Sequence, residues 1–303
     1  MKTLTLLATL LIIIVSVFIV NLNERKPVEL VSPTLASEKI LGVNLWLPDK
    51  TVAGQSSALN ITAQSAIFID IKSGRTLFSK NTEKKLPIAS LVKVMTVLIA
   101  LEHKNLDDTY TVSKSAADME PDKMQLITGE KLTLKELLYG IFLISANDAA
   151  EVIAEGSTGS REEFLALMNN KAKQLGMENT FYANPTGLDE DSNNSYSTAY
   201  DLALLTRYLI RNYPEVLEIS QTPHIILPVT FTHQDYDMYS GINLLTTYPG
   251  VIGFKTGYTP EAGLTLITLA IKNNHEVIGV LLGSGDRRDE ARELLDYSFS
   301  KLK

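Results

Sequence analysis

The stretch Ser90-Leu91-Val92-Lys93-Val94-Met95-Thr96-Val97-Leu98-Ile99-Ala100-Leu101 decides how the chain folds. A run that is apolar nearly all round, rather than along one stripe, predicts a helix buried in a core, starting at Ser90 and ending near Leu101. One lysine interrupts it. On such a helix Ser90 and Lys93, three apart, stand one above the other. The hydroxyl then sits in the first turn, at the positive end of the helix dipole, with an amine within reach of its proton. Burial penalises the ammonium and lowers its pKa, which is what an amine needs to act as a base near neutral pH. The same spacing also fits a serine N-cap beside a lysine that reaches the surface. Ser300 and Lys303 repeat it at the charged end of the chain, so spacing alone does not make the chemistry.

Outward from this helix, the flanking elements predict an α/β (α+β) fold. Residues 66–71 and 75–79 read as a hairpin turning at Lys72-Ser73-Gly74. Helices are predicted over 132–143, where Thr133 and Glu136 form a capping box, and over 161–175 and 198–211. After Pro228, strands are predicted at 251–255, 264–271 and 277–283, the last two turning at Lys272-Asn273-Asn274-His275, and a closing helix spans 289–302. Two strands at the start and three at the end predict one antiparallel five-stranded sheet flanked by helices, with an inserted all-α lobe at about 107–222. The seam between sheet and lobe is the expected cleft.

The segment before residue 61 has another character. Residues 4–20 are apolar apart from Thr5, Thr9 and Ser16, a run within the ~17 to 25 residues of a membrane helix. No small-x-small cleavage pattern follows, which favours a signal-anchor over a cleaved signal peptide for residues 1–23. Residues 24–60, with Pro27, Pro33 and Pro48, read as a linker, in which Trp46 either docks on the domain or meets lipid; 61–303 is the domain itself. The 303 residues carry 45% hydrophobic and 21% charged side chains and a net charge of -7, without a basic block, which argues against a nucleic-acid partner. His103, His224, His233 and His275 lie far apart and cysteine is absent, so no metal site, disulfide or thiol nucleophile is expected.

Two further motifs fall on the walls of the expected cleft. Ser145-Ala146-Asn147 follows one helical segment and precedes another; there a hydroxyl can relay a proton while an amide fixes a lysine or a substrate amide. Lys255-Thr256-Gly257 ends a short strand, supplying a cation and a hydroxyl for a carboxylate and a glycine that permits close approach. Each has an innocent double, Ser192-Asn193-Asn194 in a polar loop and Lys72-Ser73-Gly74 in a turn. The ordered conjunction of the three has none.

With these motifs in place, the chain resembles the serine penicillin-binding enzymes and, more narrowly, the D-alanyl-D-alanine carboxypeptidases of low molecular weight. The text that carries the resemblance is Pro87-Ile88-Ala89-Ser90-Leu91-Val92-Lys93-Val94-Met95-Thr96, Ser145-Ala146-Asn147-Asp148-Ala149-Ala150, Asn184-Pro185-Thr186-Gly187-Leu188 and Pro249-Gly250-Val251-Ile252-Gly253-Phe254-Lys255-Thr256-Gly257-Tyr258-Thr259, within roughly 61–302. It implies a β-lactamase/transpeptidase-like fold and catalytic residues Ser90, Lys93, Ser145 and Asn147. Lys255, Thr256, Gly257 and Tyr258 would bind substrate. The substrate would be a peptidoglycan stem peptide ending in D-Ala-D-Ala, with β-lactams as inhibitors and no cofactor. An oxyanion hole would form from the NH groups of Ser90 and Tyr258. Many relatives add a β-rich domain and an amphipathic helix after the catalytic domain; with Lys303 as the last residue here, the N-terminal segment is expected to anchor the enzyme at the extracytoplasmic face of the envelope. β-Lactamase and D,D-endopeptidase activity on the same scaffold, or a silent peptidoglycan-binding sensor, are the alternatives. The four-residue spacing of Glu190 and Asn194 hints at a water-activating glutamate but lies in a polar loop.

Overall fold

The computed structural model describes Pro48, residues 59–189 and residues 194–302. Five strands, β1 (Ser65–Asp70), β2 (Thr76–Lys80), β3 (Val251–Thr259), β4 (Gly263–Lys272) and β5 (His275–Ser284), form one antiparallel sheet in the order β2-β1-β5-β4-β3. The two ends of the domain therefore meet in the middle, where β1 pairs with β5, and β3 is left on an edge. Alternate residues of β1, β4 and β5 enter different cores. Ile67 and Ile69 face one that holds the helical segments, whereas Ala66 and Phe68 face a smaller one with Leu294 and Leu295. Both faces of the sheet are thus covered, which is why β1 is hydrophobic almost throughout.

Six longer helices complete the fold: α1 (Lys93–His103), α2 (Leu134–Ile144), α3 (Asn147–Thr158), α4 (Arg161–Gln174), α5 (Ala199–Asn212) and α6 (Arg287–Ser300). Helix α1 touches α2, α3, α4 and α5, and Val94, Met95, Val97, Leu98 and Ile99 are all buried. Surrounded in this way, a helix needs apolar residues on every side, each worth roughly 1.5–3 kcal/mol when fully buried.

Three expectations shift. The α-helix starts at Lys93 rather than Ser90, because Ala89 has φ 49° and residues Ala89–Val92 form a 3-10 turn instead. The second helix starts at Leu134, since Leu132 pairs with Tyr110 in a short ladder between Thr109–Thr111 and Lys131–Thr133. Its capping box is present: Glu136 N donates to Thr133 Oγ1 at 3.3 Å and Thr133 N to Glu136 Oε2 at 2.7 Å. Strand β3 runs four residues past Lys255, because Thr256, Gly257 and Tyr258 continue to pair with β4; the lysine motif lies inside a strand, not at its end. A further ribbon, His224–Leu227 with Tyr236–Tyr239, begins before Pro228, and Leu86–Pro87 pairs with Tyr196–Ser197.

Lys72-Ser73-Gly74 is a turn, with Gly74 at φ 75° donating to the Asp70 carbonyl at 2.9 Å. No helix among the described residues is long and apolar enough to cross a membrane. The run at 4–20, Trp46, the Glu190 side of the polar loop, Ser192, Asn193 and Lys303 lie outside the described residues.

Candidate active site

Ser90 sits in the 3-10 turn just ahead of α1, so its side chain and that of the first α-helical residue, Lys93, share one face. Lys93 Nζ lies 2.9 Å from Ser90 Oγ. The same nitrogen donates to Asn147 Oδ1 and to the main-chain carbonyl of Thr186, each at 2.6 Å. Asn147 donates its own Nδ2 to the Pro121 carbonyl, which fixes the amide with its oxygen toward Lys93.

These contacts determine what the amine can be. A carbonyl and an amide oxygen only accept, so each claims one Nζ hydrogen. A neutral amine has just two, and its lone pair then faces the Ser90 hydroxyl. Lys93 is fully buried, and this desolvation pulls its pKa down from 10.5 to about 7 against the opposing pull of Asp122, Asp148 and Glu151. Its place at a helix N-terminus disfavours the cation further. A base of that strength, hydrogen-bonded to a hydroxyl, can take up its proton as an acyl bond forms.

A second serine–lysine pair faces the first. Ser145 ends α2 in the left-handed conformation, φ 62°, and Asn147 opens α3 rather than lying in a loop. The turn between them aims Ser145 at Lys255 on the sheet and Asn147 at Lys93. Lys255 Nζ donates to Ser145 Oγ at 2.9 Å and to the Thr256 carbonyl at 2.8 Å. Lys255 is also buried, and desolvation, then the nearby Lys93 and Arg287, hold its pKa well below 10.5.

At Gly257, strand β3 runs against the turn that carries Ser90. A Cβ there would come within 2.6 Å of Thr265 Oγ1 and 2.9 Å of Ser90 N. Glycine thus lets the protein's own backbone approach the strand, where the sequence pointed to approach by substrate. Gly187, at φ 83°, abuts Ala89 from the other side, its Cβ position lying 2.0 Å from the Ala89 carbonyl oxygen. Arg287 Nη1 donates to the Gly257 carbonyl at 2.6 Å. Alternation along β3 puts Lys255 and Gly257 on the buried side; Tyr258 is 62% exposed, and Thr256 lines a cavity of about 310 Å³ with Ile242, Leu266 and Arg287 that Ser90 does not reach.

Ser90, Lys93, Ser145, Asn147 and Lys255 are therefore brought together, while Thr256 lines the neighbouring cavity and Tyr258 is exposed. The carbonyls of Thr186 and Pro121 have no residue-type signature, so composition and spacing could not have singled them out. Asp148 is also part of the frame: buried, and with its pKa raised by that burial, it accepts from the NH groups of Met124 at 3.0 Å, Leu126 at 3.1 Å and Ala149 at 2.8 Å, tying the loop before α2 to α3.

Residues 51–286 match the model of peptidase family S11, described as D-alanyl-D-alanine carboxypeptidase. The chain belongs to this family. One relative, D-alanyl-D-alanine carboxypeptidase DacF of Bacillus subtilis (strain 168), is 37% identical over 255 residues, covering 82% of this chain and 64% of its own length. DacB2 of Mycobacterium tuberculosis, also named a D-alanyl-D-alanine carboxypeptidase, is 31% identical over 78% of this chain and 82% of the relative. The crystal structure of the D-alanyl-D-alanine carboxypeptidase DacD from Francisella tularensis superimposes with a TM-score of 0.76 at 27% identity, covering 83% of this chain and 73% of that one. The chain thus spans a little under two thirds of the Bacillus relative.

Proposed function

We propose that this S11 protein is a serine-type D-alanyl-D-alanine carboxypeptidase that removes the terminal D-alanine of peptidoglycan stem pentapeptides. Ser90 Oγ attacks the carbonyl between the last two D-alanines as its proton passes to neutral Lys93. Ser145 relays a proton to the departing amine, the peptide bond breaks, and D-alanine leaves. Water then attacks the Ser90 ester and frees the shortened peptide. Asn147 orients Lys93 and the substrate backbone. Lys255 receives the terminal carboxylate together with Thr256, and the NH groups of Ser90 and Tyr258 hold the oxyanion, a donor of this kind being worth ~2.7 to 4 kcal/mol. The β-lactams, which carry a strained amide and a carboxylate, acylate the same serine. Residues 1–23 anchor the chain or direct its export, 24–60 link it, and 61–303 act at the extracytoplasmic face of the bacterial envelope.

The single observation behind this reading is the bonding of Lys93 Nζ, two hydrogens spoken for and the third direction on Ser90 Oγ. The test is D-alanine release from diacetyl-lysyl-D-alanyl-D-alanine by the full-length chain in detergent, beside intact-mass detection of a penicillin adduct. Release and adduct that both disappear in Ser90→Ala are expected. An adduct without release turns the reading toward a sensor, rapid drug destruction toward a β-lactamase, and neither signal rejects the nucleophile.

A further inference from the structure

One charged group borders the cleft without a part in the chemistry. Asp122 lies in the loop between residues 119 and 126, in the left-handed region at φ 51°, a conformation that aspartate tolerates better than most residues. Its main-chain carbonyl accepts from Asn147 N at 2.8 Å, and the preceding carbonyl, of Pro121, accepts from the Asn147 amide. The backbone of Asp122 is thus fastened to the residue that holds Lys93. Its side chain is exposed, and the neighbouring Lys123 is engaged by Glu120 instead. The Asp122 carboxylate favours the charged forms of both Lys93 and Lys255, which puts it within electrostatic reach of both sides of the cleft.

Resting on the carboxypeptidase reading, the path of the substrate follows. Its carboxylate end is at Lys255 and its reacting carbonyl at Ser90, so the acyl portion leaves past Asn147 toward Asp122. We propose that Asp122 is a specificity-determining residue that receives a cationic amine on the side chain of the residue preceding the D-alanyl-D-alanine end. Between two lysines that repel a cation, a carboxylate at the exit gives such a side chain a favourable place and leaves a neutral one without compensation.

The test uses the full-length chain and two peptides, Nα-acetyl-lysyl-D-alanyl-D-alanine with its ε-amine free and the same peptide with that amine acetylated. The wild type is expected to favour the free amine by about fivefold in kcat/KM, the scale of a partly exposed ion pair. Asp122→Asn should bring the ratio near one. Asp122→Glu should restore it, and Glu120→Gln, which removes the same charge two residues away, should leave it intact. Penicillin adduct formation on Ser90 reports that each variant is folded. A wild-type ratio of one, or an unaltered ratio in Asp122→Asn, overturns the proposal. An equal loss on both peptides also overturns it, because it marks a carboxylate acting only through the lysines. Equal cleavage of both peptides by the wild type leaves the carboxypeptidase reading standing, whereas cleavage of neither by the wild type defeats both.

Discussion

The cleft contains two serine–lysine pairs with the same 2.9 Å separation, and their remaining hydrogen-bond partners differ. Ser90 and Lys93 come from one turn of chain, and the lysine is saturated: its two other contacts are acceptors that cannot be displaced by a proton's movement. Ser145 and Lys255 are 110 residues apart in sequence, and only one carbonyl, of Thr256, claims a hydrogen of Lys255. The first lysine has a lone pair to offer. The second, when protonated, keeps one hydrogen beyond those given to Ser145 Oγ and the Thr256 carbonyl, which an incoming anion could accept. Burial lowers the pKa of both lysines and so does not by itself tell them apart; what differs is the set of groups each nitrogen bonds to.

The largest effect should come from breaking the first pair. Lys93→Met is expected to slow acylation of Ser90 by penicillin ~10² to 10⁴-fold, the usual contribution of a positioned base. A loss of less than tenfold would put the base elsewhere. Next, Lys255→Ala should cost a substrate with a free terminal carboxylate on the order of 10²-fold in kcat/KM, as expected for one charge-assisted bond, and its amidated analogue only a few-fold. Equal losses on both would remove the distinction between the two lysines.

Smaller effects sharpen the geometry. Gly257→Ala forces a methyl group to within 2.9 Å of Ser90 N, so the nucleophile turn must shift. It is expected to lower the acylation rate several-fold and stability by roughly 1–3 kcal/mol, read by denaturant unfolding; unchanged rate and midpoint would show that the close approach is unimportant. Stability should also record the buried amine. With the folded pKa of Lys93 lowered from 10.5 to about 7, unfolding takes up a proton between those values, so stability rises with pH across that window. The penalty is fully present below pH 7. Lys93→Met should therefore gain most in stability at pH 7 and progressively less toward pH 10, whereas a constant difference would mean that Lys93 titrates normally.

The comparison also explains what the sequence could reveal. A local i, i+3 pair on an apolar helix is legible because helix geometry alone places Ser90 near Lys93. The start of that helix was not, since a left-handed Ala89 breaks the α-helix into a 3-10 turn for reasons lying in Gly187 and Gly257, 98 and 168 residues away from it. The sheet was legible from strand runs at both ends, but Lys255 sits inside β3 because tertiary pairing with β4 carries the strand beyond its apolar part. Ser145 and Lys255 meet only once the sheet and the helices are assembled, and resemblance to the family was needed to couple them. The acceptors on Lys93 that are main-chain carbonyls leave no trace in residue type.

The most direct test of the difference between the two lysines is the second-order rate of Ser90 acylation by penicillin between pH 5 and pH 10. A rate that climbs with pH through a midpoint of about 7, with the climb abolished in Lys93→Met, is expected of a lysine that must be neutral to act. A climb centred near the ordinary lysine value of ~10.4, or none, would contradict it.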